Sequence, residues 1–129
     1  NLFDNGYAYW LNKIGKENAG KITMAVPFYG VRFDKNHTAG NSATAAAVLY
    51  NETLMDFPQA YTDDTLETKS QIVIHNGINT LGQKVKKVKE QNNIGIAIWE
   101  ISFDHGTGKK SLIDFIYNAA NPTTESVKN

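Results

Sequence analysis

The sequence predicts an α/β layer architecture, and three observations carry that expectation. Two runs of crowded apolar residues, KITMAVPFYG and IGIAIWE, read as buried strands. Each follows a segment whose apolar residues recur at helical spacing, and a long polar stretch of mixed character separates the two units. Strands that alternate with helices imply parallel pairing in a sheet covered by those helices.

The first helix rests on Leu2, Phe3, Tyr7, Trp10, Leu11 and Ile14, which share one face at three- and four-residue spacing, with Gly20 as its left-handed stop. In KITMAVPFYG the apolar residues do not alternate with polar ones, so both faces of the strand are expected to be covered. Pro27 sits near its end, where a ladder no longer needs the missing N–H. From Val31 to Ala43 the composition turns polar and loop-like. Thr44 to Tyr50 is divided between helix, favoured by Ala45 to Ala47, and a short strand, favoured by Val48 to Tyr50. Asn51 caps a helical turn that Pro58 ends, and QIVI is a strand leading to an Asn76-Gly77 turn with positive φ angles. Residues 31–75 therefore read as a small α+β subdomain inserted after the first strand.

Thr80 opens the next helix, with Leu81, Val85 and Val88 inward and Lys84, Lys86, Lys87, Lys89 and Glu90 outward as a solvated face. Asn92-Asn93 breaks it before the second apolar strand. Leu112, Phe115, Ile116 and Ala119 line a last helix, and residues 122–129 form a polar, frayed tail.

Bulk properties narrow the functional classes. A chain of 129 residues with 41% hydrophobic content is about one domain and holds a real core. Thirteen basic residues balance thirteen acidic ones, so no net-charge footprint exists for nucleic acid or an anionic membrane. The absence of cysteine excludes disulfides, a thiolate nucleophile and Cys-ligated zinc. No stretch approaches the roughly 20 apolar residues of a membrane-spanning helix. The chain starts at Asn1 without a signal pattern and is expected to be part of something longer.

Functional groups in α/β folds collect at the carboxyl ends of strands. Those ends hold Phe28 and Tyr29 in the first strand, and Trp99 and Glu100 in the second. An exposed indole there suits the apolar C–H face of a pyranose, a contact worth about 1–3 kcal/mol; the alternative is that Trp99 plugs the end of the sheet. Glu100 and Asp104 are separated by about 13 Å if the chain stays extended. A retaining carboxylate pair needs roughly 5–5.5 Å, so Asp104 is expected instead to have a structural role, capping or bonding loop amides ahead of Gly106. His37, His75 and His105 lie far apart and supply no metal-ligand spacing. Ser102, Asp104 and His105 lack the Gly-x-Ser-x-Gly elbow, and Gly106 to Lys110 lacks the phosphate-loop spacing.

KITMAVPFYG and NIGIAIWEISFDH, in this order, resemble the last two barrel strands of family 18 glycoside hydrolases, the chitinase family. The family's Pro-Phe-Tyr-Gly strand end is matched by Pro27 to Gly30, and its final Gly-Gly-x-Met-x-Trp-Glu strand by Gly95 to Glu100. The α+β insertion falls on Val31 to Ile74, and Leu112-Ile113 falls where the family carries a Ser-Leu-Leu helix. Two departures stand out: Val31 replaces the arginine expected after Gly30, with Arg32 one place later, and Ile94-Gly95 replaces the doubled glycine.

The resemblance implies the carboxyl-terminal portion of a (β/α)8 TIM barrel, its last two strands and flanking helices, with the insertion attached. It implies a substrate of β-1,4-linked N-acetylglucosamine, cleaved with retention by a substrate-assisted route. Trp99 would form the floor of the subsite for the distorted sugar, Tyr29 would lie beside it, and Glu100 joins them as a substrate-binding position. The family's acid lies in an Asp-x-x-Asp-x-Asp-x-Glu segment, which this sequence does not contain. No catalytic residue is therefore expected here, no cofactor or metal is implied, and the partner is the amino-terminal remainder of the barrel. A non-catalytic lectin-like protein and an endo-N-acetylglucosaminidase on N-glycans are the alternatives within the same fold. A secreted or cell-surface location follows from the resemblance.

Overall fold

The computed structural model of the chain describes residues 2–36, 45–91 and 95–122. Its centre is a pair of parallel strands, β1 (Thr23–Pro27) and β6 (Gly95–Trp99), in register from Thr23 opposite Gly95 to Pro27 opposite Trp99. Helices α1 (Leu2–Ile14), α3 (Ile78–Glu90) and α4 (Leu112–Ala120) cover one face of that pair. Met24 packs with Ile22, Val88 and the α1 residues Phe3, Tyr7 and Leu11. Val26 joins Leu81, Val85, Leu112 and Ile116 in the larger core.

The expectation that both strand faces are covered does not hold for these residues. Exposure alternates along β1, with Met24 and Val26 buried and Thr23 and Ala25 exposed. It alternates along β6 as well, where Gly95, Ala97 and Trp99 are the outward set. The crowding of apolar letters hid the period because Ala and Gly on the bare face count as apolar while offering little side chain to bury.

Between β1 and α3 the chain builds a second sheet. Strands β2 (Tyr29–Asp34), β3 (Ala46–Leu49), β4 (Thr65–Glu67) and β5 (Gln71–Ile74) are all antiparallel, in the order β3-β2-β5-β4. Helix α2 (Tyr50–Asp56) packs Tyr50 and Leu54 into the core that also holds Leu66 and Val73. The polar stretch read as loop from Val31 is thus strand β2 through Asp34, because Val31 and Phe33 alternate with polar neighbours. The divided segment resolves as strand through Leu49, with Tyr50 opening the helix. Asn51 lies inside α2 rather than at its cap.

Three boundaries move for identifiable reasons. Helix α1 stops at Gly15, whose φ of 87° takes the left-handed position assigned to Gly20, and a 3-10 turn follows over Lys16–Lys21. Helix α3 begins at Ile78, two residues before Thr80, with Gly77 as its N-cap at φ −76°, so Asn76-Gly77 is a helix entry and not a positive-φ turn. Lys84 turns inward, its Nζ 2.7 Å from Asn76 Oδ1 and 5.5 Å from the centre of the Phe3 ring. The Asn92-Asn93 break, Ile94, His37 and the tail beyond Pro122 lie outside the described residues.

Glycine at position 77 is required by close approach. A Cβ there would sit 2.6 Å from the Thr62 carbonyl oxygen and 2.8 Å from its carbon, both backbone atoms. Gly77→Ala is expected to destabilise the chain by about 1–3 kcal/mol through overpacking, measured as a lowered urea midpoint at unchanged slope.

Candidate functional site

Parallel pairing delivers the carboxyl ends of β1 and β6 to one rim. Pro27 lies opposite Trp99, and the Phe28 N–H donates to the Trp99 carbonyl at 2.8 Å, extending the ladder one step past the strands. Three aromatic residues therefore meet there with different fates. Phe28 is 1% exposed and packs in the larger core. Tyr29 is half-buried at the start of β2, opposite Leu49. Trp99 is 66% exposed, and Ile101 beside it is 68% exposed, so the rim presents a broad apolar surface to solvent.

Glu100 follows directly, joined to Trp99 by a cis peptide, and its Oε1 accepts a hydrogen bond from the Ser102 hydroxyl. A 3-10 turn over Ile101–Phe103 carries the chain from there to Asp104. Glu100 and Asp104 have separate partners and make no hydrogen bond to each other among the described residues.

Asp104 is 7% exposed and accepts from four donors. The Ser111 hydroxyl reaches Oδ2 at 2.7 Å, the Leu112 amide reaches Oδ1 at 2.8 Å, the Ile113 amide reaches Oδ2 at 3.0 Å, and the His105 amide reaches Oδ1 at 2.8 Å. Two of those amides belong to the first turn of α4, where a helix has unpaired N–H groups and favours negative charge. Ser111 completes the arrangement as the N-cap, its oxygen accepting from the Asp114 amide at 3.0 Å. Of the two structural roles expected of Asp104, capping predominates, because three of its donors stand at the start of α4 and the His105 amide alone lies ahead of Gly106. His105 itself is exposed.

Two further supports of the rim lie on other elements. Asn76 Nδ2 donates to the Pro27 carbonyl at 3.4 Å while its Oδ1 accepts from Lys84, so α3 braces the end of β1. Burial pushes the Lys84 ammonium below its ordinary value, against the upward pull of Asp64. Tyr50 donates its hydroxyl to the Lys110 carbonyl at 2.8 Å, and burial, with Asp104 and Tyr61 nearby, raises its phenol well above the ordinary range. Sequence reading missed the Asn76 brace because Asn-Gly was taken for a turn. Among the described residues no three histidine or acidic side chains converge as a metal site, and no helix is long and apolar enough to cross a membrane.

Solved structures with the same arrangement are chitinases and chitinase-like proteins. The GH18 chitinase ChiB of Flavobacterium johnsoniae superposes over 92% of this chain with a TM-score of 0.70 and 26% identity. The chain is similar to chitinases of glycoside hydrolase family 18. The Group IV chitinase of Ostrinia furnacalis covers 92% of the chain at TM-score 0.70 and 24% identity. Human YKL-39, a pseudo-chitinase with retained chitooligosaccharide binding, covers 91% at TM-score 0.66 and 17% identity. The chain spans 34% of the Flavobacterium protein and 39% of each of the other two. No family model matches the sequence, and no curated protein does.

Two outcomes follow from these contacts. Asp104→Ala strands a buried hydroxyl and three amides and is expected to cost about 2–3 kcal/mol, read from urea unfolding together with faster amide exchange in the first turn of α4; Asp104→Asn should lose less. His75 supplies a pH effect. Its Nε2 is buried without a partner among the described residues, and burial lowers its proton affinity against the opposing pull of the Asp63 backbone and of the Asp64 and Asp63 charges. The unfolded imidazole, with its ordinary value of 6.5, takes up a proton before the folded one does. The His75 contribution to stability is therefore complete above that pH and is lost as pH falls from there toward the lowered folded value. Thermal unfolding across that interval should show the loss in the parent chain and a flatter profile in His75→Gln.

Proposed function

We propose that this chain is the carboxyl-terminal part of a chitinase-like (β/α)8 barrel whose rim binds β-1,4-linked N-acetylglucosamine. The observation that carries the reading is the register of β1 with β6, in which a 66% exposed Trp99 lies opposite Pro27, two residues before Tyr29 opens the second sheet. The indole stacks on the apolar face of a sugar ring as the floor of a subsite, Tyr29 borders the same ring, and Glu100 is a polar partner for the sugar's hydroxyl or amide groups. The likeness to chitinases over nearly the whole chain supports this placement.

In the parent protein the reaction proceeds with retention and uses the substrate's own acetamido group. An acid protonates the glycosidic oxygen as the acetamido carbonyl oxygen attacks the anomeric carbon, and water then opens the cyclic intermediate. The sequence contains no Asp-x-x-Asp-x-Asp-x-Glu segment, so the acid comes from another segment. The same absence leaves these residues a binding role. The open edges of β1 and β6 are where neighbouring barrel strands add. A second reading, binding without catalysis, is favoured by the likeness to the pseudo-chitinase, whose fold retains chitooligosaccharide binding.

Chitotetraose titration and a cleavage assay test both readings. In the protein containing this chain, Trp99→Ala is expected to weaken oligosaccharide binding by about 1–3 kcal/mol, roughly fivefold to a hundredfold, with the unfolding midpoint nearly unchanged. Unaltered affinity would remove the stacking role. Cleavage by the isolated residues 1–129, abolished by a point substitution within them, would overturn the assignment of the acid to another segment. Binding with no cleavage by the whole protein would select the second reading.

A further inference from the structure

We propose that His75 is a proton-operated latch on the aromatic rim: the neutral imidazole keeps the end of β1 and the start of β2 in place, and a proton taken up at Nε2 releases them. The inference rests on the sugar-binding reading of that rim and names what regulates it. His75 follows β5 directly, at the seam between the second sheet and α3. Its N–H donates to the Asp64 carbonyl at 2.9 Å. Its Cβ presses on Gly30, where an added Cβ would stand only 2.7 Å away, and Gly30 follows Tyr29 in β2. On the other side its neighbour Asn76 donates to the Pro27 carbonyl, and Pro27 lies opposite Trp99. One short stretch of chain thus touches both segments that carry the rim.

Nε2 of this ring is buried and has no hydrogen-bond partner among the described residues. As a bare acceptor in the neutral imidazole it forfeits one bond. Protonated, it becomes a donor with nothing to accept from it and brings a charge to the same buried place, which costs considerably more. Three titratable groups face the ring: Tyr50 from α2, its ring centre 6.4 Å away, and Asp63 and Asp64 from the segment ahead of β4. The two carboxylates and the Asp63 backbone favour the charged ring, but burial outweighs them and holds its proton affinity below the ordinary value. Proton uptake therefore falls in mild acid, and the ring that receives the proton is badly placed to keep it.

The surroundings are not free to turn and meet it. Tyr50 is held at both ends, its N–H donating to the Phe28 carbonyl at 3.0 Å and its hydroxyl to the Lys110 carbonyl at 2.8 Å. Both carboxylate oxygens of Asp64 are engaged, one by the Gly77 amide and one by the Thr80 hydroxyl. Lys84, bonded to Asn76, already places one positive charge at the seam. Gly30 closes the side toward β2. The charged ring is left to move outward toward solvent, and it carries Asn76 with it. The bond from Asn76 to Pro27, at 3.4 Å, is the longest of these contacts and gives way first. Its loss unbraces β1 from α3 opposite Trp99, and retreat of the His75 side chain from Gly30 frees the strand beside Tyr29.

Two readouts on the whole protein containing this chain test the latch: NMR of the His75 imidazole and of backbone amides between about pH 7.5 and about pH 5, and chitotetraose titration at both ends of that range. The Gly30 and Asn76 amides are expected to shift with the same midpoint as the imidazole, below 6.5, while the near-ultraviolet circular dichroism is retained. Chitotetraose should bind about fivefold or more weakly at the acid end, whereas His75→Gln and His75→Phe, two neutral replacements of different shape, should bind it alike at both ends. Amides that stay still as the imidazole titrates, equal affinity of the parent at both ends, or a pH dependence that the folded variants keep would each overturn the latch. So would collapse of the dichroism in step with the imidazole, which would make the proton a trigger of global unfolding. Amides that move as expected in a protein that binds chitotetraose at neither end would uphold the latch and overturn the sugar-binding reading instead.

Discussion

The in-register parallel pairing of β1 with β6 is the constraint on which the remaining architecture depends. Parallel neighbours cannot be joined by a hairpin, so the chain must travel from the rim at Pro27 back to the opposite end before Gly95 begins. Helix α3 performs that return, and its Leu81, Val85 and Val88 supply the cover that makes Met24 and Val26 worth burying. The excursion through β2, β3, α2, β4 and β5 occupies the interval at the rim, which is why the second sheet starts only two residues after Pro27. Directionality of one ladder thus sets where the aromatic residues, the second sheet and the covering helices stand.

Much of this was legible in the sequence where the period was long or a single residue type was decisive. The three longer helices were recognisable because their apolar residues repeat over several turns, and the two central strands because they are unusually rich in Val, Ile and Ala. The antiparallel sheet was less legible, since β4 has three residues and β3 and β5 have four, too few for a period to declare itself. Asn76-Gly77 misled for a different reason. Local turn preference favours positive φ, but packing against the Thr62 carbonyl demands a missing Cβ instead. Tertiary approach, which no local pattern encodes, decided that position.

The rim illustrates the same division. Aromatic letters at strand ends identified the place, but not that Phe28 would be enclosed while Trp99 stood out. That distinction comes from the pairing partner: Phe28 continues the ladder through the Trp99 carbonyl and turns inward, while Trp99 belongs to the outward set of β6. Asp104 was readable as a support because the extended spacing from Glu100 is too long for a catalytic carboxylate pair. The braces at Asn76 and Tyr50 were not, because each spans several dozen residues of sequence, 49 in one case and 60 in the other.

The outward face of the central pair is made of Thr23, Ala25, Gly95 and Ala97, ending at Trp99. Such short side chains leave a shallow floor, whereas the middle of a closed barrel is packed by bulky branched residues in layers. Anything laid against this side of the pair would approach its backbone closely, because so little side chain stands in between. Enlarging any of the four would raise that floor.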